Sequence, residues 1–282
     1  MQDLTVVIVN YNTREDLARC LETIPGAAVG LACRTIVVDN ASSDGSAEMA
    51  RERFPWATVM VTDRNGGYAY ANNVGLREAG FGEGGEPPRY ALLLNPDTLL
   101  PPKALGQMVG FMDAHPDIGV SGPKLVRRDG TLDKACRRSF PTPAVSFYRI
   151  VGLSKLFPRS RVFGRYNLTF LDEDQEADVD AVVGAFMLMR GQALAQAGLL
   201  DETFFMYGED IDLCYRIKQH GWRIVYHPQV TVLHVKGASS RKASDRAITA
   251  FYDAMRIFHD KHYRTQTPAP INWAIDGGVT LQ

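Results

Sequence analysis

The chain has 282 residues, of which 45% are hydrophobic and 22% charged, a balance that is ordinary for a soluble globular protein of one large or two small domains. Its formal net charge of −1 argues against a general affinity for nucleic acid. Its four cysteines form no CxxC pair, so neither a disulfide framework nor a zinc site is expected, and reduced thiols indicate a cytoplasmic protein.

The first part of the chain alternates strands and helices. Its amino terminus lacks the basic segment of a signal peptide, and no apolar run reaches the roughly 18 residues that span a bilayer, so any membrane contact is expected to be peripheral. Apolar runs predict strands at residues 4–9, 35–38, 56–61 and 90–94, with amphipathic helices between them. This alternation predicts a Rossmann-like, mostly parallel central sheet flanked by helices, an α/β fold.

Each of these strands ends in polar residues. The carboxyl ends of parallel strands share one edge of the sheet, so the polar side chains are expected to form a nucleotide site. They are Asn10, Asp39, Arg64, Asn65 and Asp97. Asp97 follows Pro96, which cannot continue a strand ladder, and its carboxylate would suit a hard cation that holds a phosphate. The alternatives are that Asp97 only caps the next helix and that the strand ends are unrelated polar loops.

The second half of the chain is less regular. Strands are expected at residues 119–126, 131–135, 223–226 and 230–235, and helices after Pro101, after Asp210 and at 247–262. Residues 181–190 form a buried strand or a close-packed helix start, in which Gly184 would let a neighbour approach the backbone. Residues 266–282 contain Pro and Gly and are expected to form a poorly ordered tail.

Two further features carry chemistry. Glu209 and Asp210 follow an aromatic run, and a carboxylate in a partly apolar pocket suits a general base. The simpler interpretation is a helix amino terminus, where acids are favoured by the helix dipole. His234 lies on an apolar strand beside a Gly/Ser loop with Lys236, which could close over phosphates, although a single histidine on a strand is usually structural.

A basic segment stands out in this nearly neutral chain. Residues 124–165 hold eleven Lys or Arg and two acids, and residues 172–180 hold six acids. Apolar and aromatic residues are interleaved with the bases between Pro143 and Pro158, which favours a segment lying on an anionic membrane. The alternative is a solvated basic face that the acids of 172–180 partly neutralise.

Seven motifs between Val7 and about His262, nearly the whole chain, resemble those of family 2 glycosyltransferases with the GT-A fold, and within them the bacterial rhamnosyltransferase-like branch. The motifs are VIVNYN, VVDNASSDGS, RNGGYAYANNVG, LLNPDT, GAFMLMR, FFMYGEDIDLCYR and HVKGAS. The family's metal motif is often Asp-x-Asp, whereas Asn95 stands first here. Asparagine still offers a carbonyl oxygen, and the NPD form is familiar in the rhamnosyltransferase-like branch, so the resemblance does not imply loss of activity.

The resemblance implies a single GT-A domain over residues 1–265, with a nucleotide-binding half (1–100) and an acceptor-binding half (101–265). Asp97 and His234 would ligate Mg²⁺ or Mn²⁺ at the diphosphate. Asp210 would be the general base, with Glu209 and Trp222 placing the acceptor. The nucleotide-sugar donor would be bound by Asn10, Tyr11, Asp39, Asn40, Arg64, Asn65, Gly66, Gly67, Asn72, Asn95 and Asp97.

The implied reaction is the metal-dependent, inverting transfer of a sugar to a saccharide or lipid-linked glycan in cell-surface polysaccharide synthesis. The resemblance favours L-rhamnose from dTDP-rhamnose as the donor sugar, with UDP-sugars second. A lipid-linked acceptor would place the enzyme at the inner face of the cytoplasmic membrane. A non-catalytic nucleotide-sugar or glycan-binding protein is the second hypothesis. A dinucleotide-dependent oxidoreductase is disfavoured, because Asn10-Tyr11-Asn12 stands where GxGxxG would follow the first strand.

Overall fold

A computed structural model describes residues 2–82, 85–235 and 245–280, and the predicted loop around Lys236 lies outside these ranges. The described strands are β1 Leu4–Asn10, β2 Cys33–Asp39, β3 Thr58–Val61, β4 Tyr90–Leu94, β5 Thr98–Leu99, β6 Ile118–Val126, β7 Ala177–Asp178, β8 Phe186–Arg190 and β9 Arg223–His234. The described helices are α1 Arg14–Ala27, α2 Ser46–Arg53, α3 Tyr68–Glu78, α4 Ala104–Ala114, α5 Pro143–Ile150, α6 Leu153–Leu156, α7 Gly191–Ala197, α8 Glu209–Gln219, α9 Asp245–His262 and α10 Ala269–Thr280.

One sheet runs through both halves of the chain, with strand order β3-β2-β1-β4-β8-β6-β9-β5 and β7 paired to β9. The four strands from the first half are parallel, as predicted. Strand β8 lies antiparallel between β4 and β6, so the complete sheet is mixed. The predicted α/β architecture is confirmed, and the β4–β8 pairing joins the two halves into one structural unit.

The parallel part of the sheet is the centre of the hydrophobic core. All seven residues of β1 are buried, as expected for a strand covered on both faces. Helix α3 packs closely on β1 and β2, because Gly75 has no side chain and a Cβ there would clash with Val7. Asn10 pairs with Asp39 in the register of β1 and β2, so the two strands end at the same level.

The structure corrects two predictions for the middle of the chain. Residues 131–135 return beside β6 only as an isolated bridge of Leu132 to Val126. The pairing ends there because the side chain of Asp133 accepts a hydrogen bond from Ala135 N and starts a 3₁₀ turn at Lys134–Cys136. The segments 223–226 and 230–235 are one strand, β9. Its register against β6 shifts beside Pro228, where an irregularity accommodates the residue that cannot donate to the ladder.

The carboxyl-terminal segment is also more regular than predicted. Helix α10 packs beside α9, and the His259 ring shares a hydrogen bond of 2.7 Å with Asn272. Arg264 forms a bidentate ion pair with Asp276. The expectation of a poorly ordered tail is therefore wrong for residues 269–280. Within the described residues, no helix combines the length and the apolar character needed to cross a lipid bilayer.

Candidate active site

The ends of β1 and β2 carry a buried hydrogen-bond network. Asn10 Nδ2 donates to Asp39 Oδ2 at 2.9 Å, and Ser42 N donates to Asp39 Oδ1 at 2.8 Å. Thr13 Oγ1 donates to Asn10 Oδ1 at 2.6 Å. The strand ends therefore meet at one edge, as the parallel topology predicted, and each oxygen of Asp39 is held by an N–H donor. The donor-binding roles of Asn10 and Asp39 stay predictions.

The glycine turn after β3 joins this network. Asn40 Nδ2 donates to Asn65 Oδ1 at 2.9 Å, and Gly66 N donates to Asn40 Oδ1 at 3.2 Å. Gly67 has a φ of +94°, and any side chain there would also collide with the carbonyl of Phe205. The carbonyl of Phe205 accepts a hydrogen bond of 2.7 Å from the backbone N–H of Tyr68. The turn thus fixes the loop before α8 against the nucleotide-binding half.

Three other predicted donor-binding residues differ from one another in solvent exposure. Tyr11 is 47% exposed, and Arg64 is exposed, with its guanidinium over the ring of Tyr70. Asn72 lies inside α3, is 1% exposed, and donates Nδ2 to the carbonyl of Tyr68 at 2.9 Å. Its Oδ1 has no hydrogen-bond partner among the described residues, and its expected place in the nucleotide pocket stays a prediction.

Strand pairing brings Asp97 to His234. Thr98 of β5 pairs with His234 of β9, and this places Asp97 Oδ1 3.3 Å from His234 Nε2. On the other side of the ring, His234 Nδ1 donates to Asp133 Oδ2 at 2.9 Å. Burial opposes the charged ring, but the two carboxylates outweigh it and raise the pKa of His234 above its ordinary value. Helix α4 begins only at Ala104, so Asp97 does not cap it.

The Asp97–His234 pair fits a divalent cation. The 3.3 Å between the two atoms is near the roughly 3 Å that separates adjacent ligands of an octahedral ion with bonds of about 2.1 Å. Asp133 fixes the ring so that Nε2 faces Asp97, which is the usual support for a metal-binding histidine. Within the described residues no group of three His, Cys, Asp or Glu side chains could hold a metal. A cation here would therefore take its other oxygens from a bound diphosphate or water.

Asp210 is held by three N–H donors at the start of α8. Its Oδ2 accepts from Arg138 Nη2 at 2.7 Å and from Gly184 N at 3.0 Å, and its Oδ1 accepts from Ile211 N at 2.8 Å. Burial opposes the charge of Arg138, but the adjacent Asp210 outweighs it, and the pKa of the guanidinium lies above its ordinary value. The guanidinium of Arg138 therefore keeps its charge in this buried place.

Gly184 connects this pair to the nucleotide-binding half. Its carbonyl accepts a hydrogen bond of 2.9 Å from the hydroxyl of Tyr68, while its N–H donates to Asp210. A Cβ at Gly184 would lie 2.9 Å from that hydroxyl, closer than real Cβ contacts come. The predicted close approach to the Gly184 backbone is confirmed.

Glu209 has a different environment from Asp210. It is 5% exposed, and its Oε2 has no hydrogen-bond partner among the described residues. Burial, and after it the negative charge of Asp210, raise the pKa of Glu209 to about 8. The helix dipole alone does not describe this pair, because one acid is tied to a cation and burial raises the pKa of the other.

A cavity of about 540 Å³ brings residues of both halves together. Asn95 and His234 line it together with Glu209, Asp210 and Arg138. It is thus bounded by the carboxyl end of β4, by the last residue of β9 and by the amino terminus of α8. The segments that the sequence marked as metal-binding and catalytic contribute to one space, which can hold a small substrate beside Glu209 and Asp210.

Trp222 does not belong to this space. It precedes β9, at the opposite end of that strand from His234, and its indole N–H donates to Gln196 at 2.7 Å. Its side chain packs over Gly119. The expected acceptor contact of Trp222 is therefore corrected to a structural role at the far edge of the sheet.

The sequence reasoning missed Asp133 and Arg138. A signal for Asp133 was present, because it is one of only two acids in the basic segment 124–165. No comparable signal marks Arg138, which is one of eleven bases in that segment, and its pairing with Asp210 depends on the folded chain.

Comparison with known proteins identifies the family. The model of the family described as "Glycosyltransferase like family 2" matches residues 2–254. The chain belongs to the family 2 glycosyltransferases. An N-acetylglucosaminyl-diphospho-decaprenol L-rhamnosyltransferase of Mycobacterium tuberculosis is 29% identical over 99% of this chain and 91% of its own length. A low-salt glycan biosynthesis hexosyltransferase of Haloferax volcanii is 27% identical over 83% of this chain and 67% of its own length.

Solved structures agree on the fold of this glycosyltransferase. A mannosyltransferase from Pyrobaculum calidifontis, in complex with GDP-Man and Mn²⁺, superposes with a TM-score of 0.61 at 17% identity, covering 98% of this chain and 70% of that one. TarS from Staphylococcus aureus gives 0.58 at 14% identity, covering 91% of this chain and 64% of that one. The likeness confirms the predicted GT-A fold. Together with the family match it confirms the predicted enzyme class, and the oxidoreductase alternative is excluded.

Proposed function

We propose that this glycosyltransferase moves L-rhamnose from dTDP-rhamnose to a saccharide acceptor on a lipid-linked glycan, with a divalent cation and with inversion at the anomeric carbon. The name of the Mycobacterium tuberculosis relative supports both the sugar and the lipid-linked acceptor class. That relative is matched along 99% of this chain, so the similarity covers both halves of the proposed site. A UDP-sugar is the alternative donor.

The donor nucleotide would bind along the ends of β1 and β2. Asp39 would accept a hydrogen bond from the N–H of the pyrimidine, and its carboxylate is already oriented by Asn10 and Ser42. The glycine turn at Gly66 and Gly67, which Asn40 and Asn65 hold at the same edge, would lie beside the diphosphate. These residues would bind and orient the donor without chemical change.

Asp97 and His234 would hold Mg²⁺ or Mn²⁺, with Asn95 offering a carbonyl oxygen nearby. When bound, the cation supplies positive charge to the diphosphate leaving group. The presence of Mn²⁺ in the complexes of the Pyrobaculum calidifontis mannosyltransferase and of GalNAc-T7, which share the fold, agrees with this assignment. Asp133 would keep the His234 ring oriented, as it does in the structure.

Transfer is a single displacement. The acceptor hydroxyl oxygen forms the new bond to the anomeric carbon while the bond from that carbon to the diphosphate oxygen breaks, and the bonding electron pair leaves with the diphosphate. The hydroxyl proton passes to the carboxylate of Asp210, which Arg138 and Gly184 hold in place. Glu209, protonated near neutral pH, would donate a hydrogen bond to an acceptor oxygen and so position it.

The shared cavity carries this proposal, because it combines the metal-side residues Asn95 and His234 with Asp210 in one space. A donor screen tests it. The purified enzyme is incubated with dTDP-rhamnose or with UDP-sugars, in Mg²⁺, in Mn²⁺ or in EDTA, and release of the nucleoside diphosphate is measured. Turnover of dTDP-rhamnose that EDTA abolishes supports the proposal, and an acceptor product with inverted anomeric configuration by NMR establishes the stereochemistry. Turnover of UDP-sugars alone would overturn the donor assignment.

A further inference from the structure

The surface formed by α5, α6 and the loop to residue 165, here called the α5–α6 surface, concentrates exposed apolar side chains. The described residues contain thirteen large apolar side chains that are exposed, and six of them lie between residues 147 and 162. They are Phe147, Ile150, Val151, Leu156, Phe157 and Val162. Helix α5 buries only Val145, so most of its apolar side chains are turned outward. Such a concentration of exposed apolar side chains on one surface indicates an interaction site for an apolar partner or a membrane.

The apolar residues are not isolated on the surface. Phe147 contacts Tyr148, Tyr148 contacts Phe163, and Phe163 contacts Phe157, with ring centroids 5.1 to 6.1 Å apart. This chain of aromatic contacts joins α5 to the segment after α6. The α5–α6 surface is therefore one continuous patch rather than separate exposed side chains.

The same surface carries five exposed bases without acidic partners. No acid occurs between residues 134 and 171. In the part of the chain that the structure describes, no carboxylate forms an ion pair with any of the five, which are Arg149, Lys155, Arg159, Arg161 and Arg165. Uncompensated positive charge around an apolar patch complements a surface that is negatively charged and apolar beneath.

The acids of 172–180 do not neutralise this surface. Glu173 and Asp174 pair with Lys124, and Asp180 pairs with Lys218. Glu176 and Asp178 contact His227 and Arg223 on β9. Five of the six acids are thus engaged outside the α5–α6 surface. The alternative of partial neutralisation holds for Lys124, at the start of the basic segment, but not for the five bases of this surface.

The α5–α6 surface continues into the cavity of the active site. Ile150 is 72% exposed and also lines the cavity, as does Arg149. Beyond them the wall is formed by Phe251 and Met255 of α9, and the catalytic acids lie in the same space. The lipid chain of a lipid-linked acceptor that left a bilayer at Ile150 would contact the apolar wall of Phe251 and Met255. Its saccharide would then lie nearer to Asp210.

We propose that the α5–α6 surface docks on an anionic lipid bilayer at the inner face of the cytoplasmic membrane and admits the lipid-linked acceptor to the cavity past Ile150. The acceptor part rests on the proposed function, whereas the docking itself is a property of this surface. Bases near an anionic headgroup layer each add to binding, and the shallow apolar residues insert between headgroups.

Vesicle flotation tests the docking without any catalysis. The full chain is mixed with vesicles of phosphatidylcholine alone or of phosphatidylcholine with phosphatidylglycerol, at low and at high salt. We expect flotation with the anionic vesicles at low salt and much less at high salt or with neutral vesicles. A protein that stays in the soluble fraction with anionic vesicles at low salt overturns the proposal, whatever its activity with a donor sugar.

Pairs of test and control variants show whether the α5–α6 surface is the part of the protein that binds the vesicles. Lys155→Ser with Arg159→Ser should weaken partition to anionic vesicles about 30-fold, which corresponds to about 1 kcal/mol per base. The control Arg51→Ser with Lys103→Ser removes the same charge from exposed positions elsewhere and should have little effect. Leu156→Ser with Val162→Ser should also weaken binding, whereas the control Val29→Ser with Val61→Ser should not. Equal losses in test and control variants would overturn the assignment to the α5–α6 surface.

Two measurements distinguish failure of the proposed function from failure of the membrane-docking proposal. Release of dTDP from dTDP-rhamnose into solution measures the donor site, and the α5–α6 variants should retain it. Transfer to a vesicle-embedded polyprenyl-diphosphate glycan should fall in those variants in parallel with flotation. Loss of donor turnover in the wild type would count against the proposed function and leave the docking result intact.

Discussion

The site has two regions of different construction. The rim at β1 and β2 is largely neutral, and its polar side chains hydrogen-bond partners 25 to 32 residues away. The second region combines charged groups from far apart in the chain, with 101 residues between Asp133 and His234 and 72 between Arg138 and Asp210. In the first region Asp39 is satisfied by two N–H groups, whereas in the second Glu209 keeps an oxygen without a partner among the described residues.

The two regions differ in how they hold their polar groups. In the first region, amide and backbone N–H groups from consecutive parallel strands hold the carboxyl group of Asp39 by hydrogen bonds. Buried charges cost desolvation unless they are paired. The second region holds Asp210 with Arg138 and N–H donors, and it holds Asp97 and Asp133 with His234. Substitutions should therefore affect binding and stability modestly in the first region and alter chemistry and pH dependence strongly in the second.

The largest effect is expected at Asp210. Asp210→Asn should reduce sugar transfer by about 10²- to 10⁴-fold, because an amide cannot accept the hydroxyl proton. Nucleotide affinity, measured by calorimetry, should stay near that of the wild type and also shows that the variant is folded. If Asp210→Asn transfers sugar at the wild-type rate while Glu209→Gln is inactive, the roles assigned to the two acids are exchanged.

A pH-dependent stability difference is expected at Glu209. The folded pKa of about 8 is above the ordinary 4.5, so this carboxyl favours the folded state below about pH 4.5 and loses that contribution as pH rises towards 8. Relative to Glu209→Gln, the wild type should lose up to about 5 kcal/mol of unfolding free energy across this window. Urea unfolding at pH 5 and pH 8 measures it.

The matched control for that experiment is Glu15→Gln, an exposed acid in the first turn of α1. It measures how the free energy of unfolding responds to a Glu→Gln change at the surface, and the loss for Glu209→Gln is compared with it. A constant difference from the wild type for Glu209→Gln would show that Glu209 ionises in the folded protein as it does in the unfolded chain.

Asp97 should show its effect only with metal present. Asp97→Ala should weaken dTDP binding by more than about 100-fold in Mg²⁺ or Mn²⁺ and little in EDTA, since supporting residues alone often change metal affinity 10- to 100-fold. The control Asp63→Ala removes an exposed acid beside Arg64 and should lack this metal dependence. Equal losses with and without EDTA would make Asp97 structural.

The smallest effect is expected in the first region. Ser42→Ala removes one acceptor for Asn10 Nδ2 and for Asn12 N, and should lower the free energy of unfolding by about 1 kcal/mol. Transfer at saturating donor should be unchanged. Urea unfolding and a turnover assay measure both, and a large fall in turnover would mean that this rim takes part in the chemistry.

The sequence determined the parallel half of the fold and its rim. Apolar runs located β1, β2, β3 and β4, and parallel pairing required that their polar ends meet. The strand 90–94 was predicted with its observed bounds. Local patterns suffice here, because a buried parallel strand is marked by its own residues and its neighbours follow in chain order.

Only the tertiary structure decided the charged half. Strand β8 runs antiparallel between β4 and β6, and the β5–β9 pairing sets His234 beside Asp97, neither of which follows from local patterns. Asp133 and Arg138 acquire their partners, and Trp222 its distance from the cavity, from the same long-range pairings. Hydrophobic periodicity records whether a residue is buried, but it does not record which distant charge lies against it, because that depends on how the crossing segments pack.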